Sequence, residues 1–162
     1  MSAYSSFTTE DLTESREGYE SLLQNNSIKK QSTNLRISQQ GVQLAFDNDI
    51  NSEVIENIFN ERTKELNTEL TKLEKDELAI IAELKKIAKI EYIKIFDNRV
   101  QAIIERDQII QEIQQTKDQY EINDLIIKRD YIQQKIDFMF EQCDALKTKY
   151  KFSIITEVEK LD

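Results

Sequence analysis

The sequence has no proline, no histidine and no tryptophan, and only two glycines in 162 residues. Sheet-containing folds reverse direction often, and their turns draw on Gly and Pro for backbone angles that other residues resist. An all-α chain with few reversals is therefore expected. The lack of histidine removes the commonest general base and the commonest metal ligand. It also excludes the Glu-x-x-His element of di-iron helical bundles. No CxxC pair, phosphate-binding glycine loop or GxSxG elbow occurs. Carboxylate pairs such as Glu65 and Glu69 share a helix face, but on a charged helix this spacing serves solubility and pairing with Lys or Arg. The expectation is a non-enzyme, with no catalytic, cofactor or metal site.

Cysteine is nearly absent too. A lone Cys143 forbids an internal disulfide and fits a reducing compartment. It falls among apolar positions, beside Glu141 and Asp144, and reads as a small buried hydrophobe rather than a reactive thiol. No apolar run approaches the roughly 18 residues of a membrane span, and Met1 to Phe7 lacks the basic start and apolar stretch of a secretion signal. A soluble cytoplasmic or nuclear protein without a transmembrane segment is expected. The net charge of -9 repels phosphate, which argues against general binding of nucleic acid or anionic membranes. The short basic runs at Lys85, Lys86 and Lys89, and at Lys147, Lys149 and Lys151, have carboxylates nearby and read as solvated helix faces.

What is present is long helical patterning. Residues 1–7 form a disordered start, with Met1 to Ser6 lacking any pattern. Residues 8–46 hold N-terminal helical segments. Thr8 can cap the first, with Glu10 and Asp11 in its first turn and Phe7 and Leu12 placed as a hydrophobic staple. This helix should run from about Thr9 to Gln24 and break at Asn25-Asn26-Ser27, whose side chains compete for backbone hydrogen bonds. A second, weak helix follows, with Ile28, Leu35 and Val42 seven residues apart, Phe46 four further on, and the polar Ser32 and Gln39 at the intermediate positions. Residues 47–52 form a polar linker in which Asn51 or Ser52 can cap the next element.

Residues 53–162 form the organising stretch, free of Gly and Pro. Its first seam is Phe59, Thr63, Leu66, Leu70, Leu73, Glu77, Ile80, Leu84 and Ile87, in alternating steps of four and three. A middle section drifts through Tyr92, Phe96, Val100, Ile103, Asp107 and Ile110. A third seam is again strict: Ile122, Leu125, Arg129, Ile132, Ile136, Met139, Cys143, Leu146 and Tyr150, continuing to Ile154, Val158 and Leu161. Such spacing marks a long coiled coil or extended helical bundle. As one helix the stretch would reach on the order of 160 Å. Apolar doublets such as Ile80-Ile81 and Ile103-Ile104 widen the stripe, so contact with two or more helices is expected. The apolar-free segment at Gln114 to Gln119 is a stutter or a hairpin corner. With no Gly or Pro there, continuity or at most a bend near 114–121 is the favoured reading.

The seam residues are the candidate partner-binding positions: Leu66, Leu70, Leu73, Ile80, Leu84 and Ile87 in the first arm, and Arg129, Ile132, Ile136, Met139, Leu146 and Tyr150 in the second. Polar seam residues (Thr63, Glu77, Asp107, Arg129) either set partner choice or mark places where the seam opens to water. Arg129, with strict register on both sides, is the best candidate for a partner contact. Phe138 and Phe140 flank Met139, so large aromatics must point off the main seam, and this region is the favoured docking surface.

These features point to a structural subunit that associates with other helical protein subunits, in a hetero-oligomer rather than a homodimer. Kinetochore, spindle, tethering and bridging complexes use such subunits. The alternative is a membrane-associated helical bundle, BAR-like or a fusion or trafficking factor. The acidic charge argues against a BAR-like basic face, a prefoldin-like chaperone would need strands between its arms, and a fusion helix would need an ionic layer and an anchor.

Overall fold

The computed structural model describes residues 4–46 and 52–152. It is all-α, with α1 at Thr9–Phe46, α2 at Ser52–Gln115 and α3 at Gln119–Tyr150, and no strand among the described residues. No helix of the described residues is long and apolar enough to cross a membrane. The expected linker falls outside the described residues except for Ser52, which opens α2. Ile154, Val158, Leu161 and the first three residues also lie outside them, while Tyr4 to Ser6 form a turn closed by Phe7 N donating to Tyr4 O at 3.1 Å.

The start of α1 is capped reciprocally. Asp11 N donates to Thr8 Oγ1 at 3.1 Å, and Thr8 N donates to Asp11 Oδ2 at 3.0 Å, which satisfies two otherwise orphaned amides. The expected break at Asn25-Asn26-Ser27 does not occur, and α1 runs through it. The reason is tertiary. Asn26 is buried and its Nδ2 donates to Leu73 O on α2 at 3.0 Å, so its side chain is engaged across the helix pair instead of competing for its own backbone.

The long stretch is two helices, not one. Helix α2 ends at Gln115, where Thr116 N and Oγ1 both donate to Glu112 O, at 3.0 and 2.7 Å. Asp118, in an extended conformation, caps α3 by accepting from Tyr120 N at 3.0 Å, and Glu121 lies in the first turn. A reversal built on side-chain capping needs no positive φ, so it needs neither Gly nor Pro. At the far end of α3, Lys151 adopts the left-handed conformation (φ 52°) that glycine usually takes, and its N–H caps Lys147 O at 2.9 Å. Phe152, just beyond, is buried with its ring edge-to-face on Tyr92 at 5.5 Å. That packing holds the residue before it in the less favourable backbone state.

Two compact units divide the chain: Arg16–Leu84, and Met1–Ser15 with Lys85–Asp162. In the first, α1 and α2 pair antiparallel: Asn26 meets Leu73, and a Cβ at Gly41 would sit 3.5 Å from the Phe59 ring. The sheltered face of α2 is the first seam: Thr63, Leu73 and Leu84 are buried, while Phe59, Leu66, Leu70, Glu77 and Ile80 are half-buried. The facing ladder on α1 is Tyr19, Leu23, Asn26, Lys30, Thr33, Ile37, Gln40 and Leu44. It also steps by four and three, although half of it is polar.

In the second unit α2 and α3 form an antiparallel hairpin. Two buried clusters hold it. One contains Ala88, Tyr92, Ile95, Cys143, Leu146 and Phe152, and the other Ile109, Ile132 and Ile136, with Ala102, Ile103, Ile113 and Leu125 packed against it. The first turns of α1 pack here as well. Thr13 Oγ1 donates to the buried Glu91 Oε1 at 2.7 Å, and Lys94 Nζ donates to Phe7 O. So α2 carries two sheltered lines here. Ile87, Glu91 and Lys94 continue the first seam towards α1, and Ala88, Tyr92, Ile95, Arg99, Ala102, Arg106, Ile109 and Ile113 run towards α3. The drift in the middle section is this change of line. Phe96 and Val100 are exposed and Asp107 points to solvent, where its carboxylate pairs with neighbouring Arg106 at 3.0 Å.

Candidate partner-binding surface

Internal packing already uses much of the seam expected to meet partners. Leu73, Leu84, Ile87, Ile132, Ile136 and Leu146 are buried within the chain, and Leu66, Leu70, Ile80, Met139 and Tyr150 are partly covered. Two polar seam residues are satisfied internally. The Thr63 hydroxyl bonds its own helix at Phe59 O, 2.7 Å away, and Glu77 pairs with Lys30 of α1 at 2.5 Å. The hydrogen bond to Glu77 raises the Lys30 pKa, against a smaller opposing effect of burial. Arg129 is half-exposed, and its guanidinium is held by the adjacent Asp130 carboxylate at 3.0 Å.

Phe138 and Phe140 lie outside both buried clusters and are 60% and 56% exposed. Two residues apart on a helix, they fall on nearly opposite flanks of α3. Phe140 lies beneath the Arg99 guanidinium, 5.1 Å from the ring centroid, an arrangement that favours the cation. Phe138 continues a line with Ile127 and Tyr131, all more than half exposed. Beside that line, between α2 and α3, lies an open groove of about 440 Å³. Its floor is Ala102, Ile109, Ile132 and Met139, and Lys135 Nζ rests 4.7 Å from the Tyr131 ring centroid on its rim.

In the other unit, Ile28, Leu35 and Val42 are 56%, 60% and 56% exposed. The seven-residue line of the expected weak helix therefore faces outward, on the side away from the buried Asn26 and Thr33.

Cys143 is buried, with Sγ 3.9 Å from Tyr92 O. Burial pushes its thiol up to about 11, with Arg99 pulling weakly the other way. At pH 8 the folded chain should then hold on the order of a hundredfold less thiolate than the unfolded chain. Alkylation by iodoacetamide should be slowed to match, and should recover its ordinary rate in denaturant. Because the folded pKa is raised, the linked stability is full below the ordinary thiol pKa of about 8.5 and is lost as pH rises towards 11. Fast alkylation of the folded chain at pH 8 would place Cys143 outside the core. Among the described residues, no group of three or more Cys, Asp or Glu is placed to hold a metal ion.

No family model, no curated protein and no solved structure matches the chain.

Proposed function

We propose that this chain is a non-enzymatic structural subunit of a multi-protein complex, a helical scaffold of the tethering or bridging kind that acts by helix–helix association with other subunits. One observation carries this reading. After the internal seams are packed, large apolar side chains remain exposed in helical lines rather than singly: Ile28, Leu35 and Val42 on α1, Phe96, Val100 and Ile104 on α2, and Ile127, Tyr131 and Phe138 on α3. Scattered exposed hydrophobics are ordinary, whereas contiguous ones mark interaction surfaces. Exposed lines at helical spacing fit partner helices, which bury such lines along their length. The acidic net charge suits protein partners better than phosphate-bearing ones.

The test is tagged purification of the full chain with cross-linking and mass spectrometry. The expected result is recovery of helical proteins in fixed stoichiometry, with cross-links at exposed lysines such as Lys29, and loss of at least one of them in an Ile28→Glu, Leu35→Glu variant. Recovery unaltered by substitutions in all three lines would overturn the reading. Strong co-sedimentation with anionic liposomes would replace it with the membrane-associated alternative.

A further inference from the structure

The groove between α2 and α3 has a feature that its apolar floor alone does not explain, which is that its two walls carry opposite charge. Glu105 stands on the α2 wall, and Lys128 and Lys135 stand on the α3 wall, all exposed. Glu112, one heptad beyond Glu105, falls on the same edge of α2 and is also exposed. The hairpin register sets the heights of these groups. Arg106 NH1 bonds Gln133 Oε1 at 2.8 Å, and Arg99 covers Phe140, so α2 and α3 residues at one level have numbers that fall as the other's rise. Glu105 is thus level with Lys135, and Glu112 with Lys128.

The groove also continues an interface that exists within the unit. Ile87, Glu91 and Lys94 face the start of α1, and the same line of α2, in steps of four and three, goes on to Asn98, Gln101 and Glu105. α1 serves this face as far as Lys94, which bonds Phe7 O. The open groove begins one turn further on, at Asn98.

The geometry points to a second copy of this chain as the occupant. A two-fold axis parallel to the helices would set α2 of each copy beside α3 of the other, closing the two hairpins into a four-helix bundle whose neighbouring helices run antiparallel. The acidic wall of one copy then faces the basic wall of its partner at matched heights. Glu105 meets the partner's Lys135, and Glu112 meets the partner's Lys128, each pair occurring twice. Tyr131 and Phe138, exposed in one copy, pack at the joint. A single helix of another protein would have to carry its own matching acidic and basic edges, whereas a second copy supplies both walls at the heights the hairpin register sets. The inference rests on the reading of the chain as a helix–helix association subunit; it departs from the expectation of a hetero-oligomer rather than a homodimer, and it leaves the Ile28, Leu35 and Val42 line for other subunits.

The experiment is sedimentation equilibrium of the full chain over a range of micromolar concentrations. The expected mass is twice the 19.1 kDa of the monomer. Glu105→Lys alone and Lys135→Glu alone should each weaken the dimer by on the order of tenfold, because each places like charges together twice. The double exchange, Glu105→Lys with Lys135→Glu, should restore it to within about threefold. Tyr131→Ser should weaken it by on the order of a hundredfold, with helicity by circular dichroism unchanged. A monomer at all concentrations overturns the inference, as does a dimer indifferent to Tyr131→Ser or one that the double exchange fails to restore. A monomer that still co-purifies helical partners overturns the dimer alone and leaves the scaffold reading intact.

Discussion

Replacing Ile136 by alanine should destabilise the α2–α3 hairpin by about 2–5 kcal/mol, the range for removing a buried Leu- or Ile-sized side chain without full collapse of the cavity. Ile136 is 2% exposed and packs in one cluster with Ile109 and Ile132. The flanking Ala102 and Ile103 belong to a continuous helix, so little backbone movement is available to refill the space. Phe138→Ala, two residues away, removes a larger side chain that is 60% exposed, and should cost the free chain under about 0.5 kcal/mol. Urea unfolding of the two variants, followed by circular dichroism, separates them. Amide hydrogen exchange should show the loss in Ile136→Ala concentrated in α3 and the end of α2. The reverse order, with Phe138→Ala the more damaging, would mean that α3 presents a different face to α2.

That contrast between neighbouring residues was legible in the sequence, because a strict ladder from Ile122 to Tyr150 includes Ile136 and leaves Phe138 off it. The same holds for the line from Phe59 to Ile87 on α2. Both ladders are apolar enough to be recognised by hydrophobicity alone, and both form sheltered faces. The reversal at Thr116 to Asp118 was harder to see. Its signal was chemical rather than conformational: Asp118 followed three residues later by Glu121 is a capping pattern, and a capped start implies a helix end before it. The absence of Gly and Pro weighed wrongly, since capped αα-corners do not require them. The middle of α2 looked irregular because one helix serves two neighbours there. Ile87 with Ala88, and Glu91 with Tyr92, are adjacent pairs in which both members are buried. A single-seam reading has to choose one of each and then drifts. Least legible was the inner face of α1. The Asn26, Lys30, Thr33 and Gln40 positions carry no hydrophobic signal, while Ile28, Leu35 and Val42 carry a clear one that leads outward.

The polar inner face of α1 makes its own test. Asn26→Leu should stabilise the chain by about 1–2 kcal/mol, which for a protein of this size raises the melting temperature by roughly 2–8 °C. Asn26 is 6% exposed. Its Nδ2 reaches Leu73 O at 3.0 Å, but its buried Oδ1 has no hydrogen-bond partner. That oxygen is desolvated without compensation, and the Leu73 carbonyl belongs to a helix whose own ladder already engages it, so losing the amide donor leaves no orphaned acceptor. The larger leucine has room, because a groove of about 360 Å³ lies alongside, lined by Leu22, Leu73 and Ile80 among others. Asn26→Asp is the opposing arm. It places a carboxylate against a carbonyl oxygen in the same buried position and should destabilise by several kcal/mol, or take up a proton to avoid doing so. Thermal melts of the two variants beside the parent decide the matter. A loss of stability in Asn26→Leu would show that the single bond to Leu73 outweighs the unsatisfied oxygen. A gain, if hydrogen exchange also shows α1 sampling shifted pairings with α2, would give the asparagine its physical reason: a buried polar residue in a helix ladder costs stability and holds the register in which its one partner lies opposite.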